Sequence, residues 1–154
     1  METDEHRLRE QLLAADRGEA AAWLSWEPPV WRHTAFFTAW TIGFALNVGL
    51  GGGLGSATVN LLLTFAALGF LGVERARAGT YPDGAMPPEL RRPVAWSMAL
   101  FVAVVLTTWA LASTIPWWLL APLAGAATFV AMWTYSRTYA AACVSVRTRL
   151  GVAS

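Results

Sequence analysis

Two long segments without any charged residue or histidine dominate this sequence. No Asp, Glu, Lys, Arg or His lies between Thr34 and Val73, or between Val94 and Ser136, so the segments are 40 and 43 residues long. A helix needs about 20 residues to cross the ~30 Å hydrocarbon core of a bilayer, so each segment fits two crossings joined by a tight turn. The pattern predicts four transmembrane helices, near residues 34–51, 56–73, 94–115 and 117–136.

The overall composition argues against a soluble alternative. Hydrophobic residues make up 56% of the chain and charged residues 14%, whereas soluble domains carry about 25% charged residues. A soluble domain of 154 residues has too much surface to hide so many apolar side chains. We therefore predict an all-α, multi-pass membrane protein built from two helical hairpins.

The arginines predict the orientation of these hairpins. All eleven basic residues are arginines, and they fall before the first predicted helix, in the middle loop and after the fourth helix. The turns at 51–56 and 113–118 carry no charge. With four crossings, every arginine lies on one side, and the positive-inside rule makes that side the cytoplasm. We thus expect a multi-pass protein of the cell (inner or plasma) membrane with both termini in the cytoplasm.

Three segments follow from this arrangement. Residues 1–33 form a cytoplasmic or interfacial N-terminal segment with a short amphipathic helix, 34–136 form the transmembrane domain, and 137–154 form a cytoplasmic tail that can continue the fourth helix. The apolar stripe of the N-terminal helix is weak, so we expect a solvated or surface-lying helix. A docking element for a partner is the alternative.

Small residues recur at every fourth position of the first predicted helix and its turn. Helices in lipid have no hydrophobic driving force for association, and small residues at i, i+4 spacing let two backbones come close enough to pack. The glycine-rich run GLGGGLGS contains no lysine after its glycines, so it is not a phosphate-binding loop. The predicted helix-packing residues are Ala35, Ala39, Gly43, Gly51 and Gly55.

Two amides flank the first turn and need hydrogen-bond partners inside a membrane. Asn47 and Asn60 lie on either side of the turn, so they can face each other and form one interhelical hydrogen bond. A sharper interpretation is a polar track for a small solute. The residues of that track would be Asn47, Ser56, Asn60 and Thr64.

The stretch GGGLGSATVNLLLTF resembles the fluoride-channel family, whose members are small four-helix dimers. In that family a G-T-x-x-V-N-x-x-G-x-F segment lines the helices. Four positions of this pattern are matched, by Gly55, Val59, Asn60 and Phe65. Ser56 replaces the threonine and Leu63 replaces the second glycine. The resemblance implies a dimer with an anion path, but the third helix lacks the family's helix break and its phenylalanine-serine-threonine cluster. The arginine bias also opposes the antiparallel assembly of that family, so no function is carried over.

The residue content favours a non-catalytic role. The four predicted spans contain no charged residue or histidine, and the chain has no nucleophile–base set, no paired carboxylates near the membrane and one cysteine. We expect no enzyme activity, no cofactor, no metal and no nucleic-acid partner. The predicted partners are the lipid bilayer and either further copies of the chain or another membrane protein.

The leading hypothesis is an accessory or scaffold subunit of a membrane complex, or a self-oligomerising module, that acts through helix packing. The alternative is a small homo-oligomeric channel or transporter for an uncharged solute or a small anion. A weaker third option is a subunit that holds a quinone or a lipid between its helices.

Overall fold

The chain folds into five helices without a strand in the part that the structure, a computed structural model, describes: residues 2–25, 30–51, 54–78 and 85–151. The helices are α1 Glu2–Ser25, α2 Val30–Gly49, α3 Leu54–Ala78, α4 Pro88–Leu111 and α5 Trp117–Leu150.

Three of these helices are long and apolar enough to cross a membrane. The qualifying segments are Gly55–Arg77, Pro88–Leu111 and Trp117–Leu150. The all-helical prediction is confirmed for the described residues, with three candidate membrane spans. Helix α2 is not among the three; a fourth crossing stays a prediction.

Proline and glycine set several helix ends. Helices α4 and α5 follow Pro87 and Pro116, which have extended backbone angles (ψ 138° for both) that separate the helix from the preceding chain. Helix α5 ends at Gly151, whose φ of 60° lies in the left-handed region. Gly51 follows α2 with a φ of 94°, where a side chain would be strained.

Helix α5 is the longest element and the axis of the fold. Its 34 residues give it a length of about 51 Å, well beyond the ~30 Å core of a bilayer. Residues 137–150, predicted as part of a tail, are the last four turns of this helix. A cluster of buried side chains covers this extension: Ala20, Leu90, Tyr139, Cys143, Val146 and Leu150.

Helix α1 packs on the extension of α5. The Arg17 Nε atom donates a hydrogen bond to the Leu150 carbonyl at 2.9 Å, and the Tyr139 hydroxyl donates to the Trp23 carbonyl at 3.2 Å. Leu12, nearer the N-terminus, is 59% exposed. The second half of α1 is thus attached to its own chain.

Helix α2 occupies the middle of the bundle. It packs most extensively on α5, and also contacts α3 and α4, while α4 packs on α5. Helix α3 contacts mainly α2. A second buried cluster joins α2 to the start of α5, through Ala45, Leu120, Ala121 and Ala124.

Candidate helix-packing and polar sites

The closest helix contact joins α2 to α5. A Cβ atom added to Gly125 would lie 2.7 Å from Ile42 Cγ1, and one added to Gly49 would lie 2.6 Å from Trp117 Cβ. Both distances are shorter than a van der Waals contact. Both glycines therefore allow a backbone approach that any side chain would prevent. This is the geometry by which small residues associate helices in lipid.

A buried hydrogen bond reinforces the same contact. The Thr128 hydroxyl on α5 donates to the Thr41 hydroxyl on α2 at 3.0 Å, and Thr41 in turn donates to the Phe37 carbonyl at 2.8 Å. Thr41 is 0% and Thr128 1% exposed. The pair of hydroxyls is thereby satisfied without water.

The predicted amide pair closes the α2–α3 hairpin near its turn. The Asn47 Nδ2 atom donates to Asn60 Oδ1 at 2.9 Å and to the Ser56 carbonyl at 3.2 Å. The predicted hydrogen bond between Asn47 and Asn60 is thus confirmed. The Thr64 hydroxyl donates to the Asn60 carbonyl of its own helix, at 2.8 Å. The four residues lie together, and a solute track along them stays a prediction.

Two further polar contacts join α2 to α3. In the middle of the hairpin, Trp40 Nε1 donates to the Leu63 carbonyl at 2.9 Å. At the open end, Arg32 forms an ion pair with Glu74 at 2.5 Å, with the Glu74 side chain only 6% exposed. Arg77 approaches the same carboxylate at 3.6 Å. Helix α3 is thus connected to α2 near the turn, in the middle and at its far end.

The four predicted spans were expected to carry no charged residue, and the Arg32–Glu74 ion pair departs from that expectation. The difference arises because α3 continues past residue 73, so Glu74 is part of the helix and of its candidate span. A sequence signal existed: Arg32 lies 19 residues before Gly51, and Glu74 lies 19 residues after Gly55. In an antiparallel hairpin, such positions face each other.

Aromatic rings fill the space beside this ion pair. Phe36 of α2 stacks on Phe70 of α3 with a centroid distance of 4.0 Å, and the buried His33 ring lies edge-on to Phe70 at 5.2 Å. Phe37 meets Phe101 of α4 at 5.5 Å. His33 is thus a packing residue of the α2–α3 contact.

Of the predicted helix-packing residues, one faces a neighbouring helix and the others are exposed or lie in the turn. Gly43 faces α3, where an added Cβ would lie 3.4 Å from Leu63 Cδ2. Ala35 and Ala39 are exposed on α2, Gly51 forms the turn, and Gly55 has open space where its side chain would be. A contact through the exposed members stays a prediction. The close approach at Gly125 was not predicted, although the spacing Ala121-x-x-x-Gly125 carries the same small-residue signal.

Titratable and thiol side chains form no ligand cluster in the described ranges. No group of three or more His, Cys, Asp or Glu residues there has the placement to hold a metal ion. Cys143 is buried among the side chains that cover the α5 extension. No family model matches this chain, and searches of curated proteins and of solved structures also gave no match.

Proposed function

We propose that α2 crosses the membrane together with α3, α4 and α5, and that both termini are cytoplasmic. Support comes from the two ends of α2. Its start is paired with the end of α3 through Arg32 and Glu74, and its end with the start of α3 through Asn47 and Asn60. The 20 residues of α2 span about 30 Å, so a bilayer crossed by α3 is crossed by α2 as well.

The charge distribution supports the orientation. With four crossings, Arg32, the end of α3, the start of α4 and the extension of α5 lie at one end of the bundle, with all the arginines of these helices. The turns at the other end carry no charge. The positive-inside rule assigns the arginine-rich end to the cytoplasm.

Within this topology, we propose a non-catalytic role in which the protein acts through helix packing. It would serve as an accessory or scaffold subunit of a membrane complex, or as a self-oligomerising module. The observation that carries this proposal is the one-sided attachment of α3, which contacts mainly α2. Its other face exposes Leu61 and Phe65, each by about 60%, next to Gly69 and Gly72, which have open space at their Cβ positions.

Such a face suits a second membrane helix. Large apolar side chains beside glycines form a ridge next to a shallow groove, and close backbone approach at glycines is a main source of helix association in lipid. A further copy of this chain and another membrane subunit both offer a helix of that kind.

The mass of the intact complex after gentle solubilisation tests this role. We expect either a homo-oligomer or a complex with one other membrane protein at fixed stoichiometry. Gly72→Leu fills the shallow part of the α3 face and should lower the associated fraction. Ala126→Leu, a matched change at an exposed position of α5, should leave it unchanged. A monomeric wild-type protein without a partner contradicts the proposal.

A second candidate function, a small channel or transporter for an uncharged solute or a small anion, is favoured by one observation. Asn60 is exposed on α3, and its side-chain oxygen accepts a hydrogen bond from Asn47 Nδ2, so its side-chain NH2 group is left to bind something else. In an oligomer this group could line a path. Flux of fluoride, chloride and glycerol into liposomes tests this function. Asn60→Leu should abolish flux, and unchanged flux excludes Asn60 from a path.

A further inference from the structure

A groove lies between α4 and α5 at the arginine-rich end of the bundle. Its volume is about 340 Å³. Arg92, Trp96 and Leu100 line it from α4, and Ala131, Tyr135 and Thr138 line it from α5. Because the two helices run antiparallel, Arg92 and Thr138 lie at one end, and Leu100 and Ala131 at the other. From Arg92 to Leu100 the groove follows eight residues of helix, about 12 Å.

The groove has one charged end and apolar walls. The hydroxyls of Ser97 and Thr138 bind carbonyls of their own helices, Val94 and Thr134, so they present little polarity to the groove. Arg92 is exposed, and in the part of the chain that the structure describes its guanidinium forms no ion pair.

A second apolar cavity lies further along the same two helices. It has a volume of about 310 Å³, shares Leu100 with the first cavity, and extends to Leu111 and Ile115 near the opposite end. No charged side chain lines it. The two cavities thus place apolar walls along α4 and α5, and among the described residues Arg92 is the one charged residue that lines either of them.

We propose that this groove binds an anionic phospholipid of the leaflet at the arginine-rich end. The lipid phosphate would accept hydrogen bonds from the Arg92 guanidinium, and one acyl chain would lie along Trp96, Leu100 and Tyr135. Arginine binds phosphate with charge-assisted, often bidentate hydrogen bonds, and basic pockets between membrane helices are typical sites for anionic headgroups. Trp96, which is 67% exposed, lies at the depth where tryptophan rings favour the membrane interface.

The charge of the site selects among phospholipids. A zwitterionic headgroup brings its own ammonium cation close to the guanidinium, whereas a glycerol headgroup does not. The groove should therefore hold phosphatidylglycerol in preference to phosphatidylethanolamine. This inference goes beyond the proposed packing role and depends only on α4 and α5 crossing the bilayer.

Lipid retention tests the proposal directly. The full chain is exchanged into mixed micelles with equimolar phosphatidylglycerol and phosphatidylethanolamine, and bound lipids are counted by native mass spectrometry. Wild type should retain phosphatidylglycerol preferentially. Arg92→Gln should lower this preference about ten-fold, the loss expected for one charge-assisted hydrogen bond, and Arg92→Lys should keep most of it.

The neighbouring arginine provides a matched control. The Arg91 Nε atom donates to the Met86 carbonyl at 3.1 Å, and its side chain lines a different cavity together with Asp16 and Glu19. Arg91→Gln removes the same charge from the next residue and should leave the preference unchanged. Equal losses in the two variants would mean that only the net charge attracts the lipid, and would overturn the site.

A second pair of variants tests the acyl-chain path without changing charge. Ala131→Phe places a ring in the groove and should lower phosphatidylglycerol retention, whereas Ala126→Phe, at an exposed position of the same helix, should not. Unchanged retention in both Arg92→Gln and Ala131→Phe contradicts the proposal.

Discussion

Replacing Gly125 by alanine should destabilise the protein, because the added methyl group enters the α2–α5 contact. Its Cβ atom would lie 2.7 Å from Cγ1 and 2.8 Å from Cδ1 of Ile42. Cγ1 is attached directly to the Ile42 Cβ atom, and a β-branched side chain in a helix has essentially one χ1 rotamer, so relief requires a helix to move. Overpacking of this kind costs about 1–3 kcal/mol.

A helix-propensity gain opposes part of this cost. Alanine favours a helix over glycine by up to ~1 kcal/mol, so the net loss at Gly125 is about 0–2 kcal/mol. In the single chain, Gly69→Ala gains the same propensity in α3, and its Cβ atom meets nothing within 4 Å. Because Gly69 lies on the proposed association face, the two variants are compared at one chain per micelle. The two variants should therefore differ by about 1–3 kcal/mol in the free energy of unfolding.

Unfolding by SDS in mixed micelles measures this difference. Tryptophan fluorescence reports the transition, since the chain contains nine tryptophans, several of them in the bundle. Gly125→Ala should unfold at a lower SDS mole fraction than wild type, and Gly69→Ala at an equal or higher one. Equal midpoints for the two variants would refute the close approach of α2 and α5.

Substitutions at three further contacts test the fold. Glu74→Leu leaves the Arg32 guanidinium, itself about a quarter exposed, without its counter-ion, and should cost up to about 3 kcal/mol in the same SDS assay. Adding Arg32→Leu should recover part of that loss, and additive losses would contradict a pairwise ion pair. Thr128→Val removes the hydrogen bond to Thr41 and should cost about 0.6 kcal/mol, the average for such bonds in membranes; a loss above about 2 kcal/mol would contradict this account. Arg17→Gln should speed amide hydrogen exchange in the second half of α1 while the SDS midpoint stays that of wild type, and unchanged exchange would show that this arginine does not hold α1.

The charge distribution was sufficient to predict most of the membrane helices. A helix in lipid must form its backbone hydrogen bonds within itself and carry apolar side chains. The sequences of α3, α4 and α5 therefore contain long uncharged segments. Helix α2 begins at Val30, four residues before the predicted start, and the charge of its Arg32 is compensated by Glu74 on the neighbouring helix. Such compensation depends on the tertiary fold, which the charge pattern of one segment does not contain.

Local geometry determined which site residues could be predicted. Asn47 and Asn60 flank a tight turn, so a hairpin brings them together whatever else packs around it. The contact of Gly125 with Ile42 depends instead on which helices become neighbours. The length of α5 is a different case: the sequence allows the segment after residue 136 to continue as a helix, and α5 extends to Leu150, whose carbonyl accepts a hydrogen bond from Arg17 of α1.

Site-directed labelling of single cysteines tests the central claim, that α2 is a membrane crossing, most directly. Cys143 is only 1% exposed and is replaced by alanine, so that each variant carries one cysteine at an exposed position. With a membrane-impermeant maleimide on intact cells, Gly55→Cys and Ser113→Cys should react from outside, and Ala14→Cys and Ser145→Cys only after permeabilisation. Labelling of Gly55→Cys and Ala14→Cys from the same side would contradict the crossing.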